Sequence, residues 1–188
     1  MANKKLVLGS TGMPGSGKSI IMRVAKDSGY DAVIMGDIVR EEAQKRGLEP
    51  NPQNIGRIML ELRLMGGKGV VAKRCIPRIE KAKNPKVVVD GIRSLEEAEE
   101  FNKYFPSFTL VAIHSSPETR FQRLFNRRRS DDADEWAVFH ERDMRELGVG
   151  VGNAMAVAEY MIVNEGSLEV VRRKVKEVLR KVEEKWSR

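Results

Sequence analysis

Apolar residues along this chain follow two periods. Short, nearly unbroken apolar runs occur at Leu6–Gly9, Ala32–Met35, Val87–Asp90, Leu110–His114 and Tyr160–Val163. Between them, apolar positions recur at helical spacing. The runs suit strands covered on both faces, and the spaced pattern suits amphipathic helices. Their alternation predicts an α/β fold layered on a parallel sheet. Helix starts carry capping residues: Ser94 with Glu97 before LEEAEEF, Asn51 with Pro52, and Ser116 with Pro117. Ser167 opens the last helix, with a stripe at Val171, Val175, Val178 and Val182. Phe121, Leu124 and Phe125 form the expected buried face after Ser116, and Trp136, Phe139 and Leu147 that of a later helix.

Two connections are longer than a crossover requires. Residues 38–84 and 126–153 read as helical inserts over the active face, hinged at Gly66, Gly67 and Gly69 and at Gly148, Gly150 and Gly152. One domain is expected over 1–188, with a core of 1–37, 85–125 and 154–188. A hydrophobic content of 41% and a charged content of 32% fit a globular protein. No apolar run approaches the ~20 residues that span a bilayer, and MANKKLVLG leads straight into a strand, so a cytoplasmic protein is expected. Cys75, the sole cysteine, excludes an internal disulfide and a cysteine-based zinc site. It sits among helical residues and reads as structural. His114 and His140 lack partners at ligand spacing, so no metal cluster is expected around them. The net charge of +7 fits either a solvated basic surface or an anionic, phosphate-rich partner.

The segment Gly12-Met-Pro-Gly-Ser-Gly17-Lys18-Ser19 matches G-x-x-x-x-G-K-[ST] between an apolar run and a helical pattern. In such a loop the backbone N–H groups of Gly12, Gly15, Ser16 and Gly17 form an anion nest backed by a helix N-terminus. Lys18 would reach the outer phosphates of ATP, and Ser19 would ligate Mg²⁺. NKKL and NKYF both fail the N-K-x-D guanine motif, no L-S-G-G-Q signature occurs, and the chain is short for an AAA-type module with its helical subdomain. Small kinases and compact ATPases remain.

Three further stretches bear on this choice. In IMGDIVREEA, Asp37 and Arg40 sit three apart at the end of the second apolar run, where open parallel sheets bind ligands. Asp37 reads equally as a helix N-cap, and Arg40 as a surface arginine. In VVVDGIRS, Asp90 ends a buried strand, as does a carboxylate that holds the waters of Mg²⁺, and Arg93 follows within reach of an anionic substrate. In SPETRFQRLFNRRRSDD, Arg120, Arg123 and Arg127 form a helical stripe that reads as a solvated face, an RNA contact or a clamp on a triphosphate, of which the clamp is preferred.

GMPGSGKS, GDIVR, DGIR and RLFNRR occur in the order, and at roughly the spacing, of the adenylate kinase–type nucleoside monophosphate kinases. The chain most resembles the archaeal adenylate kinase-related proteins, a group also similar to dephospho-CoA kinases. The resemblance implies a three-layer P-loop fold with a five-stranded parallel sheet in the order 2-3-1-4-5. It would make 38–84 an acceptor-binding insert and 126–153 a lid. It also implies that Arg40 binds the acceptor's phosphate, that Arg123 and Arg127 contact the donor's phosphates, and that Arg142, with Arg145 as alternate, acts from the lid. Two departures stand out: DGIR lacks the proline of D-G-[FY]-P-R, and Lys18 is followed by Ser19 and Ile20 instead of Gly-Thr.

The expected reaction is transfer of the γ-phosphoryl of MgATP to a small nucleotide-type acceptor. A nucleoside monophosphate resembling AMP comes first and a hydroxyl of the dephospho-CoA type second, with Asp37 consistent with both. A P-loop ATPase switch or assembly factor, linked to RNA through Arg127–Arg129, is the reading from another class; neither nucleic acid nor membrane is the favoured partner. Asn164 either approaches adenine or caps the turn into Gly166.

Overall fold

Six consecutive buried residues, Leu6–Thr11, form β1 at the centre of a parallel sheet. The computed structural model describes residues 5–127 and 135–187. β1 pairs on one side with β3 (Lys86–Ile92) and on the other with β4 (Phe108–His114). β2 (Asp31–Ile34) and β5 (Tyr160–Val163) form the edges, so the order is β2-β3-β1-β4-β5, as the resemblance implied. Each expected strand is present, most of them longer by a few residues.

Because strand side chains alternate between faces, β1 feeds two separate cores. Leu6 and Leu8 pack with Ile21, Val24 and Ala25 of α1 (Lys18–Asp27) and with Val171, Val175, Leu179 and Val182 of α9 (Leu168–Trp186). Val7 faces Cys75 and Ile79 of α4 (Val70–Lys81), and Phe101 of α5 (Leu95–Tyr104) with Phe105 at its end. Cys75 is buried and unbridged, and burial pushes its thiol up to about 12, as fits a packing role. Helices on both faces complete a three-layer α/β/α fold.

Both long connections are helical. α2 (Met35–Lys45), α3 (Pro52–Gly66) and α4 lie between β2 and β3, and Val39 and Ala43 of α2 meet Ile58 and Leu62 of α3 in a small core of their own. After β4 come α6 (Pro117–Arg127), α7 (Trp136–Val149) and the short α8 (Val151–Ala156).

The caps at Asn51, Ser94, Ser116 and Ser167 each accept the expected backbone N–H, at 2.9, 3.2, 3.4 and 3.4 Å. The box at Ser94 does not close on itself, because Glu97 turns to Arg93 N and to Arg63 instead. Asp37 is not an N-cap: it lies in the first turn of α2, whose cap position is Ile34.

Three helix faces differ from expectation. In α6 Leu124 is buried as expected, but Arg120, 4% exposed, is buried beside it while Phe125 stays 42% exposed, because an internal carboxylate receives the arginine. Of the three residues expected on the packing face of α7, Phe139 is buried, whereas Trp136 and Leu147 remain half-exposed. Trp136 and Phe139 instead gather around Phe121, with centroids 5.2 and 5.6 Å from it. In α9, Leu179 is buried more deeply than Val178. Among the described residues no helix is long and apolar enough to cross a membrane.

Candidate phosphate-binding site

The loop between β1 and α1 is held from behind. Gly17 takes φ 100° at the start of α1, and a Cβ there would lie 2.3 Å from Asn164 Nδ2, so only glycine fits. Asn164 Nδ2 donates to Ser16 O at 2.8 Å, and Asn164 N donates to His114 O at 2.8 Å, continuing the β4–β5 ladder. Ser115 Oγ donates to Asn164 O at 2.6 Å. Buried Asn164 therefore ties the end of β5 to the loop, a third role beside the two expected for it. Nothing in its local pattern could reveal this, because Ser16 lies 148 residues away.

Inside the loop, Lys18 Nζ donates to Gly12 O at 2.6 Å and to Met13 O at 3.0 Å. Desolvation pushes its ammonium down from 10.5 to about 8, although Asp90 and Glu146 act to raise it, and Arg93 and Arg142 lower it further. Ser16 Oγ is buried without a hydrogen-bond partner, an unusual state for a hydroxyl. A polyphosphate in this loop would answer both features: it supplies acceptor oxygens to Ser16 and opposite charge to Lys18.

Asp90 owes its position to a bulge. β1 and β3 run in register up to Ser10↔Asp90, after which Thr11 pairs with Ile92 and Gly91 (φ 99°) is the extra residue. Ser10 Oγ donates to Asp90 Oδ1 at 2.7 Å, and Thr11 Oγ1 donates to Ile92 O at 2.8 Å. Asp90 and exposed Ser19 then share one cleft of about 530 Å³ with Lys18. Among the described residues no cluster of three His, Cys, Asp or Glu forms a protein-only metal cage. Ser19 and Asp90 instead suit a cation such as Mg²⁺ that takes most of its ligands from phosphate and water.

The expected site residues separate into groups. Gly15, Gly17, Lys18, Ser19, Asp90, Arg123 and Arg127 line the one cleft. Arg123 is oriented there by Ser115 Oγ (2.8 Å) and by both oxygens of Asn164 (3.0 and 3.3 Å). Arg93 and Arg142 lie within electrostatic reach of Lys18, whereas Arg145 pairs with Glu141 on the surface. Asp37 and Arg40 are not in the lining; they form an exposed ion pair at 2.7 Å beyond the end of β2. Arg128 and Arg129, part of the basic run Arg127–Arg129, lie outside the described residues.

Arg120 is a correction to the arginine stripe. Its guanidinium grips Asp143 of α7 at 2.8 and 2.5 Å, donates to Ser115 O and Pro14 O, and lies 4.9 Å from the Phe139 ring centroid. It belongs to the packing between α6, α7 and the loop, not to the cleft. Sequence spacing cannot separate Arg120 from Arg123, because they differ only in what the fold brings opposite them.

Fold and cleft together define a kinase-like P-loop protein that carries the elements of a nucleotide-binding site. A family model described as an AAA domain matches residues 11–139. Short as it is, the chain thus matches an AAA-type model over the loop, the strands β2 to β4 and the helices between them. UPF0200 proteins match nearly end to end. The one from Methanothermobacter thermautotrophicus is 44% identical over 180 residues, covering 96% of this chain and 92% of the relative. That from Methanocaldococcus jannaschii is 46% identical over 179 residues, covering 94% and 90%. The chain belongs to this UPF0200 family, whose name states no activity.

Among solved structures, a shikimate kinase from Bacteroides thetaiotaomicron aligns with a TM-score of 0.64 at 14% identity, over 93% of this chain and 98% of that one. A gluconokinase from Sinorhizobium meliloti aligns at 0.58 and 14%, over 99% and 98%. At such identity these likenesses establish the fold alone.

Proposed function

We propose that this protein is a phosphotransferase that moves the γ-phosphoryl of MgATP to a small nucleotide-type acceptor, a nucleoside monophosphate resembling AMP. The observation that carries the reading is the cleft in which Lys18, Ser19, Asp90, Arg123 and Arg127 converge on a braced loop. MgATP would supply the transferable phosphoryl group. Lys18 and Ser16 would hold its phosphate oxygens, Ser19 and Asp90 its cation, and Arg123, Arg127 and Arg142 would neutralise charge as it develops. Arg40 and Arg93 would hold the acceptor's phosphate, which is ionised and needs no general base. Segments 38–84 and 126–153 would close over the two ligands as acceptor insert and lid, excluding water.

A hydroxyl acceptor is the second reading, favoured by Asp37 at the end of β2, where a carboxylate can take a hydroxyl proton. The fold neighbours named for shikimate and gluconate kinases belong to proteins with such acceptors. Against it, Asp37 Oδ1 already accepts from Arg40 Nε and Nη2, at 3.2 and 2.7 Å.

A ³¹P NMR panel offering MgATP with each nucleoside monophosphate, each deoxynucleotide and dephospho-CoA separates the readings. A new diphosphate from a nucleoside monophosphate, absent with Lys18→Ala at unchanged fold, is the expected result. A phosphorylated dephospho-CoA would favour the second reading, and inorganic phosphate alone from every acceptor would leave an ATPase.

A further inference from the structure

The acceptor reading rests on Arg40 and Arg93, and each of them, like Arg63 in the segment 38–84, is held by a carboxylate of the same chain. Arg40 pairs with Asp37, Arg63 with Glu97 and Arg93 with Glu146. The first is a local pair within one helical turn. The second is buried packing, with Glu97 completely enclosed and Arg63 12% exposed. The third joins two segments that lie 53 residues apart, the turn after β3 and the last turn of α7.

Glu146 is poorly placed for the helix that carries it. A negative charge in a last turn opposes the negative end of the helix dipole, and the last turn of α7 holds no basic residue to offset it. Arg93, from outside α7, pairs with it, and Arg142 lies one turn earlier on the same helix. Arg93, Arg142 and Glu146 all lie within electrostatic reach of Lys18, so the carboxylate stands in a cationic setting beside the phosphate loop.

The backbone of Arg93 is fixed, while its side chain is partly exposed. Glu97 accepts Arg93 N at 2.8 Å with one oxygen and Arg63 Nη2 at 2.6 Å with the other. Gly150, just after α7, packs against this turn, and a Cβ there would lie 3.5 Å from Ser94 Cβ. Arg93 itself remains 41% exposed, against 13% for Glu146.

We propose that Glu146 is a specificity-determining residue of the acceptor site: its carboxylate occupies on Arg93 the place that the phosphate of an anionic acceptor takes. This inference rests on the reading of Arg93 as acceptor-facing. An acceptor must displace Glu146 in order to bind. A phosphate monoester, carrying about −1.5 to −2 charge at neutral pH and three acceptor oxygens, competes well with a carboxylate. A neutral hydroxyl does not. Displacement also removes the ion pair between the end of α7 and the turn after β3, leaving the contact of Gly150 with Ser94 and the grip of Arg120 on Asp143.

The test measures AMP and inorganic phosphate binding by calorimetry on the full chain saturated with ADP, so that the P-loop is filled. Wild type, Glu146→Gln, Arg93→Ala and the double variant form a cycle. Glu146→Gln should tighten both anions about five-fold, the worth of a partly exposed ion pair. With Arg93 replaced, the change at 146 should have no effect. Unchanged or weaker anion binding in a folded Glu146→Gln, or a gain that persists without Arg93, would overturn the proposal. Glu146→Asp, which keeps the charge but shortens its reach, should show a smaller gain and covers the case in which the glutamine variant folds poorly. Tighter inorganic phosphate without any AMP turnover would support the role of Glu146 while refuting the nucleoside monophosphate reading.

Discussion

Lys18 provides a quantitative handle on the loop. Its ammonium titrates near 8 in the ligand-free fold instead of 10.5, with desolvation the largest cause. At pH 8.5 about a quarter of the molecules then carry the charge, and a polyphosphate that restores an ordinary lysine pKa would draw in ~0.7 proton per site. Nucleotide phosphates are already ionised at that pH, so the proton comes to the protein. Calorimetric titration of ADP in several buffers of different ionisation enthalpy reads the uptake as a slope. Lys18→Arg, which does not titrate in this range, should abolish it. An uptake near zero in the wild type, or an equal uptake in Lys18→Arg, would refute the account of Lys18 as the desolvated partner of phosphate. The same shift has a folding consequence. Because the folded pKa lies below the unfolded one, the unfolded chain binds more protons between about pH 8 and 10.5. Stability of the ligand-free protein should therefore rise with pH across that window through this group, and Lys18→Met should flatten the rise.

Two further outcomes follow from the ion pairs. Asp143→Asn leaves the buried Arg120 guanidinium uncompensated and should cost about 3 kcal/mol, read as a lower urea midpoint at unchanged slope; a loss below about 1 kcal/mol would mean that the carbonyls of Pro14 and Ser115 suffice. Arg40→Ala removes an exposed pair and should alter stability by no more than about 0.5 kcal/mol. It should raise the KM for AMP about ten-fold with the KM for ATP nearly unchanged, whereas equal losses for both substrates would count against its acceptor role.

What lay in contiguous residues was legible beforehand. The phosphate loop, the five strands and the caps at Asn51, Ser94, Ser116 and Ser167 depend on interactions within a few positions, and hydrophobic period and capping chemistry report those directly. Asp90 was legible as a strand-ending carboxylate. The bulge at Gly91 that sets it against Ser10 was not, since it exists only as a register between strands. The order of those strands came from resemblance to known kinases, and no periodicity carries it.

The roles of the arginines were decided by the tertiary structure. Arg120 and Arg123 stand one helical turn apart with the same chemistry, yet one is buried on Asp143 and the other faces the cleft, held by Asn164 and Ser115. Likewise Arg142 lies near Lys18 while Arg145 turns to Glu141. A guanidinium takes its role from the carboxylate, carbonyl or cleft opposite it. Those partners come from elements tens of residues away, and only folding brings them within 3 Å or so. The sequence by itself determined a glycine-rich loop of the phosphate-binding type at Gly12–Ser19; the packing of α6, α7 and β5 around that loop determined which side chains stand beside it.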